Sequence, residues 1–160
     1  MLFACAVARA ACGTDSLPSA RSAIYVEALG AAGLGSLNVE RTFLHDRNWS
    51  VGARVGAGTI HLRDHEHSFN PDVIVPIGVF STWGGRLRAE AAAGAAITSM
   101  TYPDPETFAA ARRTEVQAWS SIGLRWTQPT GGLLLRIAYT PLLEFGRLRH
   151  WGGLSIGYCF

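Results

Sequence analysis

The chain has 160 residues, the size of one domain, and a formal net charge of +2 at neutral pH. All fourteen cationic residues are arginine, and they are scattered rather than clustered, which argues against a nucleic-acid partner. The hydrophobic fraction is 48%, yet no apolar run reaches the roughly 18 residues of a membrane-spanning helix, whereas a transmembrane β-strand needs only about 9–11.

Residues 1–21 read as an export leader followed by a disordered segment. Leu2 to Ala11 is apolar apart from Arg9, and Ala8-Arg9-Ala10 has small residues at the spacing of an export cleavage site, although the positively charged n-region is missing. An ordinary disordered tail is the competing reading. Arg9 also argues against lipidation at Cys12. Cys5 and Cys12 lie in this segment, which leaves Cys159 without an internal disulfide partner or zinc-site spacing.

Residues 22–160 read as one barrel domain built from eight strands with period-2 alternation. The first strand runs roughly from Ser22 to Gly30 and the second from Gly35 to Phe43. In the second, Leu37, Val39 and Phe43 oppose Ser36, Asn38, Glu40 and Thr42. The third covers about Trp49–Leu62, with Val51, Ala53 and Val55 against Ser50, Gly52 and Arg54. The fourth covers about Val73–Trp83 and contains Pro76, which implies a bulge or a shorter strand because proline lacks a ladder donor. The fifth covers about Arg86–Met100. Its Ala89–Ile97 run has high helix propensity, but it lies between alternating segments and contains Gly94, so a strand is expected. The sixth covers about Thr114–Thr127, the seventh Gly132–Leu142 and the eighth Gly152–Phe160. Glu106–Arg113 is expected to be loop with a short helical turn.

Connections after the second, fourth and sixth strands are short: Leu44–Asn48, Gly84–Gly85 and Gln128–Gly131. Those after the third, fifth and seventh are longer: Arg63–Asp72, Thr101–Arg113 and Leu143–Trp151. Short turns at one end and long loops at the other is the layout of outer-membrane barrels. Only Ala31–Leu34 is short where a long loop is expected.

One set of faces carries Glu27, Glu40, Arg54, Arg88, Glu90, Arg125 and Arg136, close to neutral together; the other is nearly all Val, Ala, Leu and Ile. An eight-stranded barrel has room inside for side chains and little else. The charged set fits there as a paired plug, with the aliphatic set turned to lipid and all backbone groups bonded within the closed sheet. A soluble barrel would reverse the faces. Aromatics support the membrane arrangement. Phe43, Trp49, Trp83, Trp126 and Phe160 fall at strand ends on the short-turn side, while Tyr102, Tyr139, Phe145 and Trp151 fall near the long-loop side, as two interfacial girdles would.

Phe160 follows Leu154, Ile156 and Tyr158 at alternate positions. A last strand ending in Phe resembles the recognition signal for outer-membrane barrel assembly. Together with the segments IYVEALGAAGLGSLNVERTF, GGLLLRIAYTPLL and WGGLSIGYCF, it resembles a group of small outer-membrane β-barrel proteins of the Bacteroidota. That resemblance implies fold, location and the assembly machinery as a partner, and no activity at particular residues.

His61, His65 and His67, with Asp64 or Glu66, could hold Zn²⁺, against a solvated polar loop as the favoured reading. Ser68 lies near His67 and Asp64, but no motif marks it as a nucleophile. No phosphate-binding glycine loop occurs, and no cofactor is expected. The expectation is an all-β, eight-stranded, antiparallel up-and-down transmembrane β-barrel of the bacterial outer membrane. It would have a plugged lumen, the lipid bilayer as solvent and loops that meet extracellular partners. The alternatives are a lipid- or lipopolysaccharide-modifying enzyme using His61, His65, His67 or His150, and a soluble lipocalin-like barrel.

Overall fold

The structure, a computed structural model, describes residues 20–59, 61, 71–103, 110–128, 130–144 and 147–160. Every regular element among them is a β-strand. β1 (Ser22–Leu29), β2 (Gly35–Asp46), β3 (Trp49–Thr59), β4 (Val73–Gly84), β5 (Leu87–Pro103) and β6 (Ala110–Thr127) come first. They are followed by β7 (Gly132–Tyr139), β8 (Leu142–Glu144), β9 (Arg147–Arg149) and β10 (Gly152–Cys159). β7 and β8 together make one wall strand interrupted at Thr140–Pro141, and β9 and β10 make another interrupted at His150–Trp151. The result is an eight-stranded antiparallel barrel. β1 pairs with both β2 and β10, and β5 with β6, so the wall of the barrel closes on itself.

Alternation sets which way each residue points, because successive side chains leave opposite faces of a strand. In β1, Ala23, Tyr25 and Glu27 are buried while Ile24 and Val26 are exposed. β10 repeats the pattern with Ser155 and Cys159 inside and Leu154, Ile156 and Tyr158 outside. The outer wall is aliphatic, with Val116 71% and Ile122 70% exposed.

Several boundaries differ from the sequence expectation, each for a local reason. β2 runs on to Asp46 through a bulge between Thr42 and Leu44, so Phe43 and Leu44 are both exposed. Pro76 neither bulges nor shortens β4. Its pairing with β5 is unbroken, and the ladder to β3 lapses between Val55↔Ile77 and Gly58↔Ile74 and resumes in the same register. β5 and β6 continue as a hairpin to Pro103↔Ala110, so Ala110–Arg113 is strand and not part of a helical turn; residues 104–109 lie outside the described set. The Leu143–Trp151 connection likewise contains the β8–β9 pairing, Leu142↔Arg149 and Leu143↔Leu148.

The short Ala31–Leu34 connection has a structural explanation. Leu29, at φ 63°, and Gly30, at φ 94°, take left-handed conformations that turn the chain inward. Ala32 is thereby fully buried against Ile74, Phe80, Ala92, Ala96 and Trp119. The turn closes part of the barrel mouth instead of projecting from it. A second small apolar cluster, Ala23, Tyr25, Leu134 and Cys159, lies inside as well.

Trp119 fits inside because Gly78 faces it: a Cβ built on Gly78 would lie 2.8 Å from Trp119 Cη2 and closer still to its Cζ2. Gly78→Val is expected to destabilise the barrel by about 1–3 kcal/mol through overpacking, measured by urea unfolding in lipid vesicles. An unchanged midpoint would contradict this packing.

Candidate functional site

The largest polar constellation is the charged layer across the lumen. Glu27, Glu40, Arg54, Glu90, Arg125 and Arg136 are all buried, with Glu90 at 2% and Arg136 at 4% exposure. Sheet register explains why they meet. Glu40 pairs directly with Arg54 across β2–β3. Arg88, Arg125 and Arg136 stand side by side on β5, β6 and β7, and Ser155 and Glu27 continue the row on β10 and β1. Like charges in adjacent cross-strand positions repel, so this row requires acids from elsewhere in the barrel.

Glu90 and Glu40 supply them. Glu90 accepts from Arg54 Nη1 at 3.1 Å and from Arg136 Nε at 2.9 Å. Arg125 Nε lies 2.7 Å from its second oxygen but off the hydrogen-bond line, so that contact is an ion pair without a hydrogen bond. Arg125 makes a two-pronged contact with Glu40, one arm at 2.7 Å and the other short. Arg136 Nη1 donates to Glu27 at 2.6 Å. Ser121 Oγ accepts from Arg54 at 3.0 Å and from Arg136 at 3.2 Å. Aromatic rings close the layer: the Arg54 guanidinium lies 4.7 Å from the Trp119 ring centroid, and that of Arg125 lies 5.1 Å from Phe80. Three acids and three bases balance.

Arg88 is only half-buried. Its Nε donates to Gly85 O at 2.8 Å and it reaches Ser50 Oγ at 3.4 Å, near the short-turn end. Cavities flanking the layer measure about 10 and 40 Å³, room for a water or two. Arg125, Arg136 and Glu90 were legible as inward residues. Tyr25, Ser121 and Trp119 were not assigned to the site, although they share the inward parity of Glu27 and Arg125.

Of the aromatics expected to form the two girdles, Phe43, Trp49, Trp83, Tyr139 and Phe160 are exposed, while Trp126 and Trp151 are half-buried. Trp49 and Trp83 are direct cross-strand partners, and Trp49 Nε1 donates to Ser81 Oγ at 2.9 Å. Tyr139 stacks on His150 with ring centroids 6.0 Å apart. The side chains of Tyr102 and Phe145 lie outside the described residues.

At the long-loop mouth, His61 Nδ1 lies 2.9 Å from Asp72 Oδ2, and Asp72 is buried. His65 and His67 lie outside the described residues, and no group of three metal-capable side chains occurs among those described. Thr59 Oγ1 donates to the His61 backbone carbonyl at 2.9 Å. A cavity of about 290 Å³ opens beside it, lined in part by His61, Thr98, Gln117 and Trp151. The soluble-barrel arrangement, apolar inside and charged outside, is the reverse of the one found.

No family model and no curated protein matches the chain. Solved structures do. The crystal structure of Ail from Yersinia pestis in complex with the heparin analogue sucrose octasulfate aligns with a TM-score of 0.60 at 10% identity, covering 88% of this chain and 95% of that one. The N-terminal β-barrel domain of Pseudomonas aeruginosa OprF aligns at 0.57 and 14% identity, covering 86% and 97%. Neisserial surface protein A aligns at 0.51 and 10%, covering 86% and 95%. At these identities the likeness is one of fold: the closed eight-stranded antiparallel barrel of bacterial outer-membrane proteins.

Glu90→Gln leaves guanidinium groups without their shared counter-charge in a buried site. It is expected to cost about 3–5 kcal/mol, read as a shift in the denaturant midpoint of vesicle-inserted protein. A loss below about 1 kcal/mol would mean that the network does not hold the wall together.

Proposed function

We propose that the chain is an outer-membrane β-barrel with a plugged lumen, acting as a structural and surface-interaction protein rather than as a pore or an enzyme. The observation that carries this reading is the inversion of polarity: ion pairs within a sealed cylinder and aliphatic residues around it. In water such a wall would expose a large contiguous apolar surface; in hydrocarbon it is the favoured one, and the closed ladder satisfies the backbone. The exposed Phe43, Trp49, Trp83 and Phe160 at the short-turn end, and Tyr139 and Trp151 at the other, then sit at headgroup level.

The long-loop end would carry the interaction surface. It includes the projecting β5–β6 hairpin and the mouth beside His61 and Trp151, and it would face the cell exterior, with the short turns periplasmic. The outward residues of β10, with Phe160 following them, would serve as the signal read by the barrel assembly machinery. Within the class, the resemblance to Bacteroidota barrels rests on the sequence segments named above.

Expression with an export signal, followed by electrophoresis with and without boiling, tests the reading. The unheated protein should run as a compact band that shifts on boiling, and it should fractionate with outer membranes. A protein soluble without detergent and lacking the shift would refute it. Phe160→Ala should lower the amount of assembled barrel several-fold while total synthesis stays constant, measured as the heat-shifted fraction.

A further inference from the structure

The outer wall is not uniform. A groove of about 560 Å³ crosses the outside of β1, β10, β7 and β6. Val26, Leu135, Ile156 and Trp126 line it, and Ala28 contributes the smallest apolar side chain. Its short-turn end lies at Leu87 and Trp126, which are direct cross-strand partners. The residue before Leu87 is Arg86, which is exposed, and its backbone carbonyl accepts from Thr127 N at 3.0 Å. That backbone bond fixes Arg86 in the chain directly beside Leu87, where the apolar groove ends.

The charge around that end is one-sided. Arg21, Arg41, Arg47 and Arg86 are exposed, and none has an acidic partner among the described residues. Asp46 is the single described acid in the short connections, and it accepts from the Arg47 backbone. At the opposite end, by contrast, Arg113 pairs with Glu115 at 3.0 Å. His45, on the short-turn rim, is held below its usual pKa by partial burial first and then by Arg88 and Arg21. The rim is therefore a positive field beside an interfacial tryptophan.

We propose that the groove and Arg86 form a site for one anionic phospholipid of the periplasmic leaflet, with its acyl chain along Val26, Leu135 and Ile156 and its phosphate on the Arg86 guanidinium. The site rests on the membrane reading above and adds a lipid preference to it. Aliphatic lining suits an acyl chain, and a guanidinium grips phosphate oxygens in two-pronged fashion. The neighbouring unpaired arginines favour a headgroup with no ammonium of its own.

The test uses the full barrel in phosphatidylcholine vesicles doped with acyl-brominated phosphatidylglycerol or, separately, acyl-brominated phosphatidylcholine. The readout is quenching carried by Trp126, taken by difference from Trp126→Phe. Wild type should favour the anionic lipid about fivefold, the worth of one arginine near a membrane surface, and high salt should reduce this preference. Arg86→Gln should bring the ratio near one, whereas Arg113→Gln at the far end should leave it unchanged. Ala28→Phe, which fills the groove, should lower quenching by both lipids. Equal quenching in wild type, a preference that survives Arg86→Gln, an equal loss in Arg113→Gln, or undiminished quenching in Ala28→Phe would each overturn the site. Every sample is also run with and without boiling. A heat-shifted barrel without lipid preference sinks this site alone, whereas a missing heat shift sinks the membrane reading and the site with it.

Discussion

Three guanidinium groups converge on one carboxylate, that of Glu90, inside a closed sheet. The rest of the barrel depends on this contact. Register places Arg125 beside Arg136, an arrangement that backbone pairing alone would disfavour. Glu90 and Glu40 neutralise that row, and the two acids reach it from β5 and β2. The network therefore ties together strands that share no backbone ladder. It resists collapse and slippage alike, because a one-residue slip of any strand would turn its charges out into the apolar layer.

Wall and lumen are consequences of each other. A narrow cylinder with charges inside has no room left for an apolar core of ordinary size, and its two interior clusters are correspondingly small. Aliphatic residues must then lie outside, and that surface is stable only in a solvent that matches it. The inward fold of the first connection fits the same scheme. Ala32 packs with Ile74 and Trp119 in one of those interior clusters.

Much of this was legible in the sequence because the period of a strand is two, which assigns every residue a face once one residue is placed. Glu27, Glu40, Arg54, Glu90, Arg125 and Arg136 could be grouped by parity before any pairing was known. The pairs themselves could not, since Glu40 with Arg125 and Glu27 with Arg136 depend on closure and stagger, which no local pattern encodes. Arg88 has the right parity but sits too near the rim to be sealed in, a matter of depth rather than of face. The projecting parts of β5–β6 and β8–β9 were hidden for another reason. Polar and charged residues in an aqueous hairpin lose the apolar alternation that marks a strand in the wall. Pro76 was misleading because a gap on one side of a strand can be tolerated when the other ladder is intact.

The seam of the barrel is the β1–β10 pairing, where Ser22 and Phe160 exchange backbone hydrogen bonds. These partners come from opposite ends of the described chain, so a long loop must close before they meet, and its entropy cost comes before any reward. An incomplete chain would keep two raw strand edges and a half-built charged row. Shape and electrostatic neutrality thus arrive together at the final pairing, and until then the open edges are the part of the barrel most exposed to pairing with another chain.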